Sequence, residues 1–304
     1  MRLQLGQMHL LGILLLIPCV YHYRTNAYPT IVIHGIASSK NELEPFSTEL
    51  YHSLNSLKNK SNISKYIPYM GEYIPYMGEY MVYNMEIGNG ELTSIFMDIN
   101  EQCQIFSNNI KNLNITEDKI NIIGFSQGGL IARCYVERYS QIIGVNTLIT
   151  IATPHMGIYN DNYDILPPVI KYYWKNPYEY WETNKFILFL NNEQDHENYV
   201  SYKNNIKSLT NFVVIWSKID NIITPTESSK FEFYDINKAI HQKELEIQPL
   251  VKSPLYIYDT LGLKYLYTSN RMVFYNIDCR HEEFKLSKCF KNMGLLEILI
   301  RYLV

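Results

Sequence analysis

Six short runs of apolar, β-branched residues punctuate the chain, at Thr30 to His34, Met81 to Glu86, Lys119 to Gly124, Thr147 to Ile151, Phe212 to Ser217 and Met272 to Ile277. Each has the length of a strand and little internal alternation, as expected of a strand buried on both faces. Between several of them the apolar residues recur every three to four positions. Ile95, Ile99, Cys103, Phe106 and Ile110 illustrate this spacing and fall on one side of a helix. Alternating strand and helix predicts an α/β fold, a mostly parallel sheet with helices on both faces and ligand sites at the carboxyl ends of its strands. The apolar stretch from Leu295 to Val304 predicts a closing helix on that sheet. From about 155 to 209 the alternation stops and aromatic residues crowd in: Tyr159, Tyr163, Tyr172, Tyr173, Trp174, Tyr178, Tyr180, Trp181, Phe186 and Phe189. An insertion here would roof the strand ends, packing aromatics into a small core of its own and offering others as the wall of an apolar groove. Tyr172, Trp174, Trp181 and Phe186 are the groove candidates.

The third run breaks into Gly124-Phe125-Ser126-Gln127-Gly128 and continues as Gly129-Leu130-Ile131-Ala132-Arg133, a helix-forming stretch. Strand, Gly-x-Ser-x-Gly and helix in that order form a nucleophile elbow, in which a sharp turn thrusts the serine into a cleft. The bland reading is a glycine-rich turn whose serine caps the next helix. A serine hydroxyl attacks only when a base takes its proton, and that base needs an orienting carboxylate. In α/β-hydrolases the acid and then the histidine follow the serine in the chain. Of the histidines after Ser126, His281 alone follows a late strand closely, whereas His196 in Gln194-Asp195-His196-Glu197 reads as structural. Asp220, just past the fifth run and before Pro225, is the favoured acid, with Asp235 and Asp259 as rivals. The oxyanion formed by attack needs two backbone donors, from the residue after the nucleophile and from the loop after the first strand, which are Gln127 and Ile36. His34 lies before the nucleophile and reads as a loop-shaping residue.

Composition narrows the setting. The net charge of −3 is spread over both signs without long runs, which excludes an electrostatic footprint for nucleic acid. Residues 1–27 carry Arg2, an apolar core from Leu10 to Val20 and a polar end at Thr25-Asn26-Ala27, the architecture of a secretory signal peptide, with an uncleaved signal anchor as the alternative. One hydrolase domain is then expected over 28–304. Sequons at Asn59, Asn62 and Asn114 fit secretory entry. Beyond Cys19 in the leader, four cysteines leave three connectivities. Cys103 with Cys134 and Cys279 with Cys289 are favoured, because the first two fall on adjacent predicted helices and the others flank one short loop; four free buried thiols are the alternative. None of the four lies in a metal-binding spacing, and no cofactor is called for. Residues 66–79 repeat Tyr-Ile-Pro-Tyr-Met-Gly-Glu twice, a surface loop expansion whose Tyr and Met suit transient contact with a membrane surface.

Read together, Ile31-Val32-Ile33-His34-Gly35, Glu86-Ile87-Gly88-Asn89-Gly90, Gly124-Phe125-Ser126-Gln127-Gly128-Gly129, Asp220-Asn221-Ile222-Ile223-Thr224-Pro225, Phe231-Glu232-Phe233-Tyr234 and Asp259-Thr260-Leu261-Gly262-Leu263 resemble the palmitoyl-protein thioesterases. The resemblance runs from about Tyr28 to the C-terminus. Thr153-Pro154-His155-Met156-Gly157 and Asn192-Glu193-Gln194-Asp195-His196 look more like the second, lysosomal type. It implies an α/β-hydrolase fold and cleavage of long-chain fatty acyl thioesters on protein cysteine or coenzyme A, in the lysosome; an extracellular location is the alternative. Ser126, Asp220 and His281 match the family's triad, and Ile36 and Gln127 its oxyanion donors. The repeat at 66–79 and the cysteine spacing depart from the family pattern. The competing readings are a lipase or carboxylesterase acting on oxygen esters and a non-catalytic lipid-binding secretory protein.

Overall fold

The six apolar runs become six strands, each within three residues of its expected bounds: β1 (Thr30–Ile33), β2 (Val82–Met85), β3 (Lys119–Phe125), β4 (Gly144–Ile151), β5 (Asn211–Trp216) and β6 (Met272–Asn276). The largest difference is at β4, which starts earlier than the run that announced it. In this computed structural model residues 27–57, 79–159, 167–179 and 183–304 are described. The leader up to residue 26, the sequons at Asn59 and Asn62, repeat residues 66–78, Tyr163, Tyr180 and Trp181 lie outside them.

All six strands are parallel, in the order β2-β1-β3-β4-β5-β6. Parallel neighbours need crossovers, and helices supply them. On one face α1 (Lys40–Ser56) and the C-terminal helix Leu295–Leu303 pack against Val32, Ile123, Ile149, Val213 and Ile215. Helix α1 does so through Leu43, Phe46, Leu50 and Leu54, spaced three and four apart. On the other face α2 (Ile99–Asn112) and α3 (Gln127–Tyr139) cover Ile31, Ile33, Ile120, Ile122 and Leu148. Successive strand residues thus serve opposite cores, which is why the runs show no polar alternation.

Register decides where the chemistry can sit. Ile33 pairs with Gly124, Phe125 with Ile151 and Ile151 with Ile215. The strands therefore end together, and the loops carrying Ile36, Ser126, His155 and Asp220 leave the sheet along one edge.

The insertion departs from expectation. It contains a 3₁₀ turn at Pro168–Tyr172 and the helices α4 (Lys185–Leu190) and α5 (Tyr199–Ser208). Its buried aromatics Tyr159, Tyr173 and Phe186 do not form a separate small core; they belong to the same continuous apolar cluster as Ile31 and Ile122 of the sheet. A two-stranded antiparallel ribbon, Phe233–Tyr234 with Ile247–Gln248, was not foreseen, because two residues per strand leave no periodicity to read.

Both favoured cysteine pairings form. Cys103–Cys134 joins α2 to α3, and Cys279–Cys289 closes a short loop beyond β6. The asparagine of the remaining sequon, Asn114, is exposed in the turn before β3. Among the described residues no helix is long and apolar enough to cross a membrane. Replacing Cys103 and Cys134 together by Ala is expected to remove about 4 kcal/mol of unfolding free energy, since the bridge closes a loop of 31 residues. Chemical denaturation would register this as a lower midpoint, and an unshifted midpoint would show that loop closure contributes nothing measurable here.

Candidate active site

The site begins with the turn between β3 and α3. Ser126 stands there at φ 50° and ψ −122°, a conformation costly for any residue with a side chain. Its N–H donates to the Ile151 carbonyl at 2.8 Å, so the turn is pinned to the end of β4. The flanking glycines follow from space. A Cβ on Gly124 would lie 2.5 Å from Gly129 Cα, and one on Gly128 would lie 2.3 Å from the His34 carbonyl oxygen. One on Gly129 would meet Thr153 Oγ1 at 1.9 Å. Only an absent side chain lets α3 start this close to β1 and β4.

The loop after β1 is held just as closely. His34 is buried, with Nε2 2.7 Å from Glu86 Oε1 and Nδ1 2.9 Å from the Gly35 carbonyl. It shapes the loop. A Cβ on Gly35 would come within 3.0 Å of Ser126 Cβ, so this backbone passes directly beside the serine. Among the described residues no hydrogen bond takes the N–H of Ile36 or of Gln127. Two backbone donors flanking a serine can bind a developing oxyanion.

Asp220 and His281 come from the loops after β5 and β6. The Asp220 Oδ1 accepts hydrogen bonds from the N–H groups of Ile222 at 2.8 Å and Ile223 at 3.0 Å, which fixes the carboxylate. Its other oxygen meets His281 Nδ1 at 2.8 Å. Asn221 Oδ1 accepts from the His281 backbone N–H at 3.2 Å. Ser126, Ile36 and His281 line one narrow cavity of about 30 Å³ with Leu43, Phe125 and Ala152. An imidazole with Nδ1 on a buried carboxylate has Nε2 free to take a proton from a hydroxyl.

The other acidic and histidine candidates are committed elsewhere. Asp235 caps the helix Ile236–Gln242 through the Lys238 N–H, and Asp259 accepts from the Lys264 N–H. His196 is bonded to Asn192 Oδ1 at 2.9 Å and packs between Phe189 and Tyr202. Of the groove candidates, Phe186 is buried in the main core, Tyr172 donates to Asp98 Oδ2 at 2.5 Å and Trp174 is half-buried beside Tyr159. None of these three lines the cavity at Ser126, and Trp181 lies outside the described residues.

Two polar networks escape sequence reasoning. Gln127 places its whole amide in hydrogen bonds with Ser94, Gln102 and Tyr173. Behind the elbow, fully buried Arg133 holds Glu137, His155, the Leu190 carbonyl and Asn191 together. The one sequence signal was polarity on an apolar helix: Gln102 beside Cys103, and Arg133 and Glu137 at helical spacing around Cys134. Burial, with Arg133 adding to it, holds the His155 imidazole well below its usual range. His155 is accordingly neutral, accepting from Arg133 at Nδ1 and donating from Nε2 to Thr150 Oγ1. Desolvation pushes the Glu137 carboxyl up to about 7 against the pull of Arg133, and its Oε2 has no partner among the described residues.

A carboxyl raised in the folded state stabilises it fully below the unfolded pKa, and that contribution is lost as pH rises through the folded value. For Glu137 the window runs from about 4.5 to about 7. The unfolding free energy of wild type relative to Glu137→Gln should fall by about 3 kcal/mol across it. Parallel wild-type and variant curves over pH 4 to 8 would refute the assignment.

Comparison with known proteins agrees with this architecture. The sequence model of the palmitoyl protein thioesterase family matches residues 29–281. Palmitoyl-protein thioesterase 3 of Dictyostelium discoideum is 30% identical over 84% of this chain and 85% of its own length. Palmitoyl-protein thioesterase 1 of Caenorhabditis elegans is 29% identical over 61% of this chain and 68% of its own. Lysosomal thioesterase PPT2 of Rattus norvegicus is 28% identical over 51% of this chain, which spans 56% of that relative. With an α/β-hydrolase sheet and a family match over most of its length, the chain belongs to the palmitoyl protein thioesterase family.

Proposed function

We propose that the chain is a serine thioesterase that hydrolyses long-chain, palmitoyl-type acyl thioesters of protein cysteine or coenzyme A. The observation that carries this reading is the buried His281–Asp220 pair, 2.8 Å apart, with His281 facing the same cavity as Ser126. Neutral His281, held in its tautomer by Asp220, takes the proton from Ser126 as Oγ attacks the thioester carbonyl. The N–H groups of Ile36 and Gln127 receive the oxyanion. The C–S bond breaks, the thiolate recovers the proton from His281, and the acyl group stays on Ser126. A water then loses its proton to His281, attacks the acyl-serine, and frees the fatty acid and the serine hydroxyl.

The acyl chain enters past Ile36, Leu43 and Phe125, the apolar residues that line the cavity beside Ser126. Each methylene so buried adds about 0.8 kcal/mol of binding. Two disulfides fit an oxidising, secretory compartment. Similarity to relatives named lysosomal thioesterase supports the lysosome as destination after removal of residues 1–27. Brief contact with a membrane surface would deliver a lipidated substrate to the cavity.

The test is hydrolysis of palmitoyl-coenzyme A, with released thiol followed by a chromogenic reagent. Ser126→Ala is expected to lower kcat by about 10⁴-fold or more, and Asp220→Asn by about 10³-fold or more. Equal activity of wild type and Ser126→Ala would end the serine mechanism. A wild type that cleaved palmitoyl oxygen esters and spared thioesters would replace it with the lipase reading.

A further inference from the structure

We infer that Tyr173 is a positioning residue for the reaction, acting through the side chain of Gln127 to hold that residue's backbone N–H toward the oxyanion. The inference rests on the proposed role of Gln127 as a donor and adds the means by which the donor is aimed.

The hydrogen-bond accounting around Gln127 is complete. Its Nε2 donates to the Ser94 carbonyl at 3.0 Å and to Gln102 Oε1 at 3.0 Å, and its Oε1 accepts from the Tyr173 hydroxyl at 2.9 Å. Gln127, Gln102 and Ser94 are each about 1% exposed or less, and Tyr173 is 2% exposed. Two consecutive helices, Glu91–Phe96 and α2, and the distant insertion therefore converge on one amide. A buried amide held on all sides has one orientation, and losing one partner leaves a polar atom unsatisfied in a dry site.

The amide matters because of what it is attached to. Gln127 is the first residue of α3, and the peptide joining it to Ser126 follows a serine at φ 50°. That conformation persists only where its surroundings over-determine it. Cα of Gln127 is fixed from one side by the helix and from the other by its side chain. Freeing the side chain gives the Ser126–Gln127 peptide room to relax, and the N–H then points less well at the oxyanion. Tyr173 itself is firmly seated: its carbonyl accepts from the Ile158 N–H at 2.8 Å, and a Cβ on Gly157 would approach that oxygen to 2.5 Å. Burial pushes its phenol above the ordinary range, so it remains a neutral donor throughout the working pH. The neighbouring Tyr172 ties the same turn to Asp98, which caps α2. The insertion is thereby connected by a hydrogen bond to the side chain of the residue that carries the proposed donor.

Tyr173→Phe removes the hydroxyl and keeps the ring. It should lower kcat for palmitoyl-coenzyme A about 10-fold while KM changes less than about two-fold. Affinity for a palmityl trifluoromethyl ketone, whose adduct carries the oxyanion, should fall by a similar factor, with binding of free palmitate unchanged. The deciding measurement is a double-mutant cycle with Gln127→Met, which keeps the backbone N–H and approximate volume: Tyr173→Phe should cost nothing further in that background. Gln102→Leu, which releases the same amide from another side, should reproduce the kcat effect and so covers the case in which Gln127→Met fails to fold. Full additivity of Tyr173→Phe with Gln127→Met, or a loss confined to KM, would overturn the inference. A wild type with no Ser126-dependent activity would instead remove the underlying reading.

Discussion

Backbone proximity at the junction of β3 and α3 is the constraint from which the rest of the site follows. With hypothetical Cβ atoms at 1.9 to 2.5 Å from their neighbours, Gly124 and Gly128 allow no substitution without moving backbone, and Gly129 none without displacing the Thr153 side chain. The helix can begin only where it does, so Ser126 is forced into a positive φ, and its hydroxyl projects from the end of the sheet. The loop after β1 must also pass beside it, because Gly128 lies directly beneath the His34 carbonyl. Strain at one residue is held by packing at several others.

Around this dry junction the protein uses polar side chains as ties between segments distant in sequence. Arg133 reaches from α3 to the Leu190 carbonyl and Asn191, and Asn205 of α5 returns a bond to the Glu137 carbonyl. The insertion is therefore part of the main core in both its apolar and its polar contacts. Fully satisfied buried groups favour one arrangement of the segments they join, since any other leaves a donor or acceptor unpaired. Glu137 Oε2 is left without a partner among the described residues, and desolvation of this buried carboxyl raises its pKa.

Much of this was legible in the sequence because the responsible physics is local. Strands buried on both faces announce themselves as uninterrupted apolar runs, and an elbow needs glycines at fixed spacing, so β1 to β6 and Ser126 could be read directly. Asp220 and His281 were reached through chain order and strand ends, and the structure brings their side chains into contact. What could not be read were the partners of buried polar groups. Gln127 and Tyr173 are 46 residues apart, and nothing in either neighbourhood points to the other. The aromatic insertion illustrates the same limit: its composition signals burial, but only the fold separates Phe186 in the core from half-buried Trp174. The ribbon at Phe233 and Ile247 was too short to leave any periodic trace.

The bridge from Cys279 to Cys289 spans ten residues, and His281 lies inside that span. The histidine's loop is thus closed covalently at its base, while Asp220 and Asn221 hold it from the opposite side. A covalent closure of this kind exists only where thiols are oxidised. Copies of the chain held in a reducing environment would lose this closure and hold His281 by noncovalent contacts only. The oxidation state of these two thiols and the hold on His281 are therefore linked in the covalent structure itself.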